Sequence, residues 1–493
     1  MLTGHPLLLY ILVCVSSVLA ASSPSTRSFE NSAIVRTFEL GGSLVHVTTT
    51  YAIKALESGA KTYTLALSSE ERRKASWLEV KVKGQEDTLP IVEHIVGSNK
   101  PYHLIDVKLP KALPVNGTLN IVLETIQTHA TEPWPAKAAQ TEEQAVKFTT
   151  DLFVVSPYST AVQRTKLRTL SPRIITYTIP ENLDQFTSEA TASKSSATVT
   201  YGPYNNIPPS TNTAFYSKHQ MPVTIHYNHD HPILEILTYD RSAEISHWGA
   251  NLNIEDKIHL FNAGPELKGH FSRIQHQMQA FYGKPPPHVL PAMNLDLPPN
   301  VRNVYYYDLI GNVSTSRLRV APPVPKGSPV MKHSALELRP RYPIMGGWNY
   351  TFTLGWDAPL GDSVAWDAKN GKYIAEIPVM LSFPGAVVND ARINVILPEG
   401  ATDIEVSVPY PAVENTISTH TTYLDSTGRP KFTFIYKNLT TKHIANIYVT
   451  YKVSSSAHLK KPLVVATAFF SVFTIALITR RIDLTIHPKK KAK

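Results

Sequence analysis

Along most of this chain apolar and polar residues alternate one by one. Residues 78–83, LEVKVK, hold the alternation for six positions. The same pattern recurs at 44–53, 104–109, 119–125, 223–227 and 234–239, and again at 350–356, 374–381, 392–397, 404–408, 432–436 and 447–453. Successive side chains of a strand face opposite ways, so the alternation predicts sheets with one buried and one wet face. Pro-Glu-Gly at 398–400, Ser-Thr-Gly at 426–428 and Lys-Asn-Gly at 369–371 mark turns between runs. Many short strands with such punctuation predict a mainly β chain of β-sandwich-like domains.

Helical patterns are few. Residues 136–146 are rich in Ala, Glu and Gln and predict three helical turns, and 271–282 predict another, ended by Gly283 and Pro285. Prolines crowd 285–299 and 322–329. Proline has no N–H for a ladder, which makes these surface connections, with a polyproline ligand as the alternative. Residues 187–222 are rich in Ser, Thr, Asn and Pro, and a domain boundary is expected at their end, near His229. This gives an N-terminal β domain over 22–230 and a second over 231–456. No internal repeat is evident.

One stretch departs from the alternation altogether. Residues 462–479, PLVVATAFFSVFTIALIT, carry no charge. As a helix they are about 27 Å long, close to the ~30 Å hydrocarbon core of a bilayer. Lys460 and Lys461 precede them, and Arg480 and Arg481 follow. The tail, 480–493, adds Lys489, Lys490, Lys491 and Lys493. The excess of cations on that side predicts a cytosolic C-terminus and puts everything before Pro462 across the membrane. Lys490 and Lys491 have the spacing of a dilysine retrieval signal of the endoplasmic reticulum; attraction of a basic tail to anionic lipid is the plainer alternative. Residues 1–21 read as a secretory signal, with an apolar run at 7–15 and small residues Val18 and Ala20 before the cleavage point. The one cysteine, Cys14, lies inside that signal, so thiol catalysis and thiolate metal sites are excluded from the mature chain.

Composition narrows the classes further. The 493 residues are 43% hydrophobic and 18% charged, which suits folded domains rather than disorder. The net charge of +9 raises nucleic acid as a partner. Without zinc-finger spacing, an arginine-rich arm or an RNA-binding motif, no nucleic-acid partner is expected. Sequons stand at Asn116, Asn312, Asn349 and Asn438, all on the side expected to be lumenal and glycosylated.

The densest polar cluster is His226, His229, Asp230 and His231. Three imidazoles and a carboxylate are zinc-ligand chemistry. Alternate strand residues face opposite ways, however, and Pro232 ends the run, so a surface turn between domains is the competing reading. HExxH, GxSxG, P-loop, GxGxxG and DxD motifs are all missing. No catalytic, cofactor-binding or metal-binding residue is assigned, and no cofactor is expected. In the apolar segment Thr467, Ser471 and Thr474 share one helical face. Small hydroxylated residues there favour packing on partner helices, or else bond their own backbone.

Several longer stretches carry a resemblance. They are Asp240-Arg241 with EISHWG at 244–249, LKG at 267–269 and FSR at 271–273. VYYYD at 304–308 runs into IGNVSTS at 310–316, followed by LRPRYP at 338–343 and GGW at 346–348. ILPEGA at 396–401, YLD at 423–425 and GRP at 428–430 complete the series. In this order they resemble the ribophorin I family, subunit 1 of the oligosaccharyltransferase complex. The short tail is similar to that of fungal members. The resemblance implies a single-pass type I protein of the endoplasmic reticulum membrane with two lumenal β domains. It implies a non-catalytic accessory subunit of a complex that moves oligosaccharide from dolichyl diphosphate to Asn of Asn-X-Ser/Thr. The implied partners are the other subunits, including the catalytic one, translocating nascent polypeptide and membrane lipid. A stand-alone lumenal receptor or cargo adaptor is the alternative. Within SHWG, a buried Trp248 beside a tight turn at Gly249 is expected rather than a catalytic site.

Overall fold

A computed structural model describes residues 28–94, 100–283, 286, 288–322, 332–422 and 425–482. The chain is mainly β, with several sheets and one long C-terminal helix. Each run of alternation noted above coincides with an observed strand, although 374–381 continues three residues past the end of Lys372–Pro378. The exception among the expected elements is 136–146. Instead of a helix it contributes the short strand Lys137–Ala138 and the start of the strand Ala145–Asp151. The latter pairs antiparallel with Pro222–Asn228 over its whole length, and that ladder overrides the weak helix preference of Ala, Glu and Gln.

The sheets reveal a repeat that the sequence hides. In the first half a seven-stranded sheet runs in the order Ala192–Ser195, Thr198–Ile207, Thr160–Thr169, Phe29–Leu40, Leu44–Ala55, Thr118–Thr128, Ala75–Val82. In the second the order is Glu414–His420, Arg429–Leu439, Val387–Ile396, Leu234–Ser246, Asn251–Asn262, Asn349–Pro359, Arg302–Asp308. Strand for strand, the sequence order and direction are the same. Each sheet has one parallel pair at the same place: Phe29–Leu40 with Thr160–Thr169, and Leu234–Ser246 with Val387–Ile396. A four-stranded and a three-stranded sheet accompany each large one, again with matching connectivity. The chain therefore folds as two tandem copies of one topology, which meet between Asn228 and Leu234.

The core of each copy lies on one face of its large sheet. In Phe29–Leu40 the inward residues Ile34, Phe38 and Leu40 are buried, and between them sits Arg36. Phe38 and Leu40 pack with Val146, Phe148, Ile225 and Tyr227 of the four-stranded sheet. Ile34 packs with Tyr63, Leu65, Ile105 and Val107 of the three-stranded one. In the second copy a single apolar cluster joins all three sheets.

Candidate functional site: the root of the C-terminal helix

The C-terminal helix, Ser455–Arg481, is long and apolar enough to cross a membrane, and none of its residues is buried. It starts earlier than the apolar run 462–479. Ser454 caps it, its hydroxyl accepting from the Ala457 N–H at 3.2 Å. The first two turns, up to Lys461, rest on the second copy rather than projecting from it.

Three separate segments of the sequence meet at these turns. Trp248 donates its indole N–H to the His458 carbonyl at 3.0 Å. The ring is 62% exposed, so the buried Trp248 expected above is overturned: it braces the helix from outside and closes no core. The neighbouring His247 bonds the Tyr451 hydroxyl at 2.9 Å, and its ring lies 5.2 Å from that of His458. Burial, together with the nearby His458, lowers the His247 pKa.

Two carboxylates hold the lysines that end this docked segment. Asp425 lies 2.5 Å from Lys461 and accepts from Arg429, which also pairs with Glu244. Burial alone would raise the Asp425 pKa, but Lys461, Thr422 and Arg429 hold it well below the usual carboxylate range. Glu399 lies 3.5 Å from Lys460. One oxygen of Glu399 accepts from the N–H and hydroxyl of both Ser426 and Thr427 at 2.8–2.9 Å. Burial opposes ionisation here too, yet those donors hold the pKa at about 2. Beside it Gly400 has φ +81°, and a Cβ there would lie 2.7 Å from that of Ala457. The chain approaches the helix too closely for any side chain.

SHWG, ILPEGA and the pair Asp425 and Arg429 are far apart in sequence and converge on one helix root. The feature they share is contact with 455–461.

The other expected sites are dispersed. His226 bonds the Trp134 carbonyl at 2.8 Å, Asp230 pairs with Arg173, and His229 is buried at the joint between the copies. Among the described residues no three His, Cys, Asp or Glu side chains are placed to hold a metal ion. Asn116, Asn312 and Asn349 are exposed; Asn438 is half-buried and its sequon partner Thr440 is fully buried. Thr467, Ser471 and Thr474 bond the carbonyls of Val464, Thr467 and Phe470 within their own helix, at 2.7–2.8 Å. The signal 1–21 and Lys490 and Lys491 lie outside the described residues.

The fold and this root define a class: a tandem β body fixed to one helix able to span a membrane. The chain belongs to the ribophorin I family, whose model matches residues 29–480. Subunit 1 of the dolichyl-diphosphooligosaccharide–protein glycosyltransferase of Caenorhabditis elegans is 31% identical over 93% of this chain and 73% of its own. Subunit 1B of the Arabidopsis thaliana enzyme is 33% identical over 76% and 74%. Among solved structures, native leukotriene A4 hydrolase from Saccharomyces cerevisiae aligns over 45% of this chain and 30% of its own. At 11% identity and a TM-score of 0.26, that likeness carries no argument.

Proposed function

We propose that this chain is a non-catalytic accessory subunit of the oligosaccharyltransferase complex, one that supports assembly and presents substrate polypeptide. The observation that carries the reading is the helix root. Three of the stretches that carry the resemblance lock a large β body to its anchor, and a rigid mount is what a scaffold at a membrane surface requires. The two tandem copies are its two lumenal domains, 22–230 and 231–456. The topology is single-pass type I in the endoplasmic reticulum membrane, with a signal peptide at 1–21 and Lys490 and Lys491 as the cytosolic retrieval signal. Its partners are the other subunits, the catalytic one among them, together with translocating polypeptide and lipid. Asn116, Asn312 and Asn349 stand free for glycans, and Asn438 must receive one before Thr440 folds inward.

The test is capture of the full chain, tagged just after the signal, from membranes in a mild detergent. The eluate is assayed for transfer of lipid-linked oligosaccharide to an Asn-X-Thr peptide. Activity is expected in a large assembly and not in the chain freed of its partners. A chain that runs alone under conditions preserving the complex would overturn the reading.

A further inference from the structure

The two copies differ most in one connection. In the first copy residues 56–59 link Leu44–Ala55 to Ala60–Ser68. The equivalent link in the second copy runs from 263 to 292 and contains the helix Arg273–Tyr282. The first copy completes the same topology without this insertion, so the fold does not require it, and long connections of this kind are where function concentrates.

The inserted helix is amphipathic the wrong way round. A surface helix normally turns its apolar stripe to the core. Here Ile274, Met278, Phe281 and Tyr282 fall on one face and are exposed, Phe281 at 82% and Tyr282 at 80%. The residues turned toward the body are His276 and Gln279, each with a buried polar atom that has no hydrogen-bond partner among the described residues. The helix is nonetheless firmly rooted. The Ser272 hydroxyl caps it at Gln275, while the Ser272 N–H and carbonyl exchange two hydrogen bonds with the Gln140 amide, at 2.9 and 3.0 Å. Gln140 belongs to the first copy, so the insertion is pinned across the joint.

A row of rings ties the base of this helix to the core of the second copy. Phe271, Trp348, Tyr342 and Tyr350 follow one another at centroid distances of 5.6–5.9 Å. Tyr350 donates to Asp308 at 3.1 Å, and Asp308 in turn fixes a turn whose tip displays Leu309 and Ile310 to solvent.

We propose that the outward face of Arg273–Tyr282 docks into an apolar groove with an acidic rim on another folded subunit of the complex. The charge pattern selects that partner: residues 267–295 contain no Asp or Glu, while Lys268, Arg273 and Lys284 stand among them. Apolar anchors at i, i+4, i+7 and i+8 are the helix-in-groove mode of recognition. Position argues against the bilayer. The hairpin of Leu234–Ser246 and Asn251–Asn262 separates the insertion from Trp248 at the helix root. Twelve residues of strand hold the two about 40 Å apart.

The inference rests on complex membership, and the experiment separates the two. p-Benzoylphenylalanine replaces Met278 in the full chain, and the solubilised complex is irradiated. The expected product is a crosslink to another subunit, at an apolar segment carrying Asp or Glu. Phe281→Ser with Tyr282→Ser should cut its yield about tenfold, with the melting temperature unchanged. A crosslink to phospholipid, to a second copy of this chain or to translocating polypeptide, or none at all, would overturn the docking face while leaving membership intact. A yield indifferent to the double substitution would do the same. A chain that runs alone would overturn both.

Discussion

Arg36 and Arg241 occupy the same position in the two copies. Each lies four residues before the last inward residue of its strand, Leu40 and Ile245 respectively. Each is buried and donates to the carbonyl that ends the equivalent neighbouring strand, that of Asp151 for Arg36 and, at 2.8 Å, that of Pro378 for Arg241. Their counter-charges differ. Arg241 faces Asp256 across the hairpin through two bonds of 2.7 Å, with both side chains wholly buried. In the first copy Thr49 stands at that cross-strand position, and the charge comes from Glu71 at 2.6 Å, on the helix Ser69–Lys74. The repeat preserved the cation and replaced its partner.

Breaking the second pair should therefore be severe. Asp256→Asn leaves a guanidinium buried without its counter-ion and is expected to cost about 3–5 kcal/mol. Arg241→Met combined with Asp256→Leu removes both charges and should recover most of that loss. Thermal melting of the full chain in detergent checks it. A double variant no more stable than Asp256→Asn would show that the arginine's hold on Pro378, rather than the ion pair, supports the copy.

A pH response is expected from the joint between the copies. His229 sits there among His231, Asp230 and Gln144, and burial lowers its pKa to about 4. His443 packs edge-on against Trp77 of the first copy, next to Lys442 with its partners Glu79 and Glu124, and burial lowers it to about 4 as well. An unfolded histidine titrates near 6.5. Between about 6.5 and 4 the unfolded chain binds protons that the folded chain refuses. Stability is thus fully present above 6.5 and falls as pH drops, by about 1.4 kcal/mol per pH unit for each histidine. His443→Gln should lower the melting temperature at neutral pH but give a shallower slope. A wild-type melting temperature that stays flat from pH 6.5 to 4 would refute the neutral, buried state.

The alternation of apolar and polar residues made the strands and the fold class legible, because one buried face imposes a period of two. The repeat was not legible, because it lies in strand order and direction, and the copies share few side chains. Arg36 and Arg241 show why: the equivalent arginines draw their carboxylates from different elements, so no common motif surrounds them. Residues 136–146 misled because local helix preference is weaker than a complete ladder to Pro222–Asn228. Trp248 misled because a large aromatic ring is ordinarily mostly buried. Its partner, the His458 carbonyl, is more than two hundred residues away in sequence.

The helix root should open when its close approach is blocked. Gly400→Val places a side chain at positive φ and against Ala457, where the space for a Cβ is 2.7 Å. The strained contact costs on the order of 1–3 kcal/mol. Trypsin cleavage after Lys460, the lysine here that no proline follows, is then expected to run roughly ten- to a hundredfold faster, since the docked turns must unfold before they are cut. Acid should act in the same direction. Glu399 and Asp425 have depressed folded pKa values, so their contribution is present above the unfolded carboxylate range. It is lost as pH falls through that range toward about 2. Cleavage unchanged in Gly400→Val would mean that the contact with Ala457 does not hold the root.

Thr467, Ser471 and Thr474 line one face of the helix Ser455–Arg481. Each hydroxyl is satisfied within its own helix, which leaves the face small and without unpaired donors. Such a face allows close approach of a neighbouring helix in lipid, where van der Waals packing drives association. Leucine at all three positions keeps the segment apolar and spanning but fills that space. If the face packs on partner helices, the triple variant should insert normally yet co-purify with the complex several-fold less, a loss of about 1 kcal/mol or more. Unchanged co-purification would assign the hydroxyls to their own backbone alone and leave the β body and its inserted helix to make the assembly contacts.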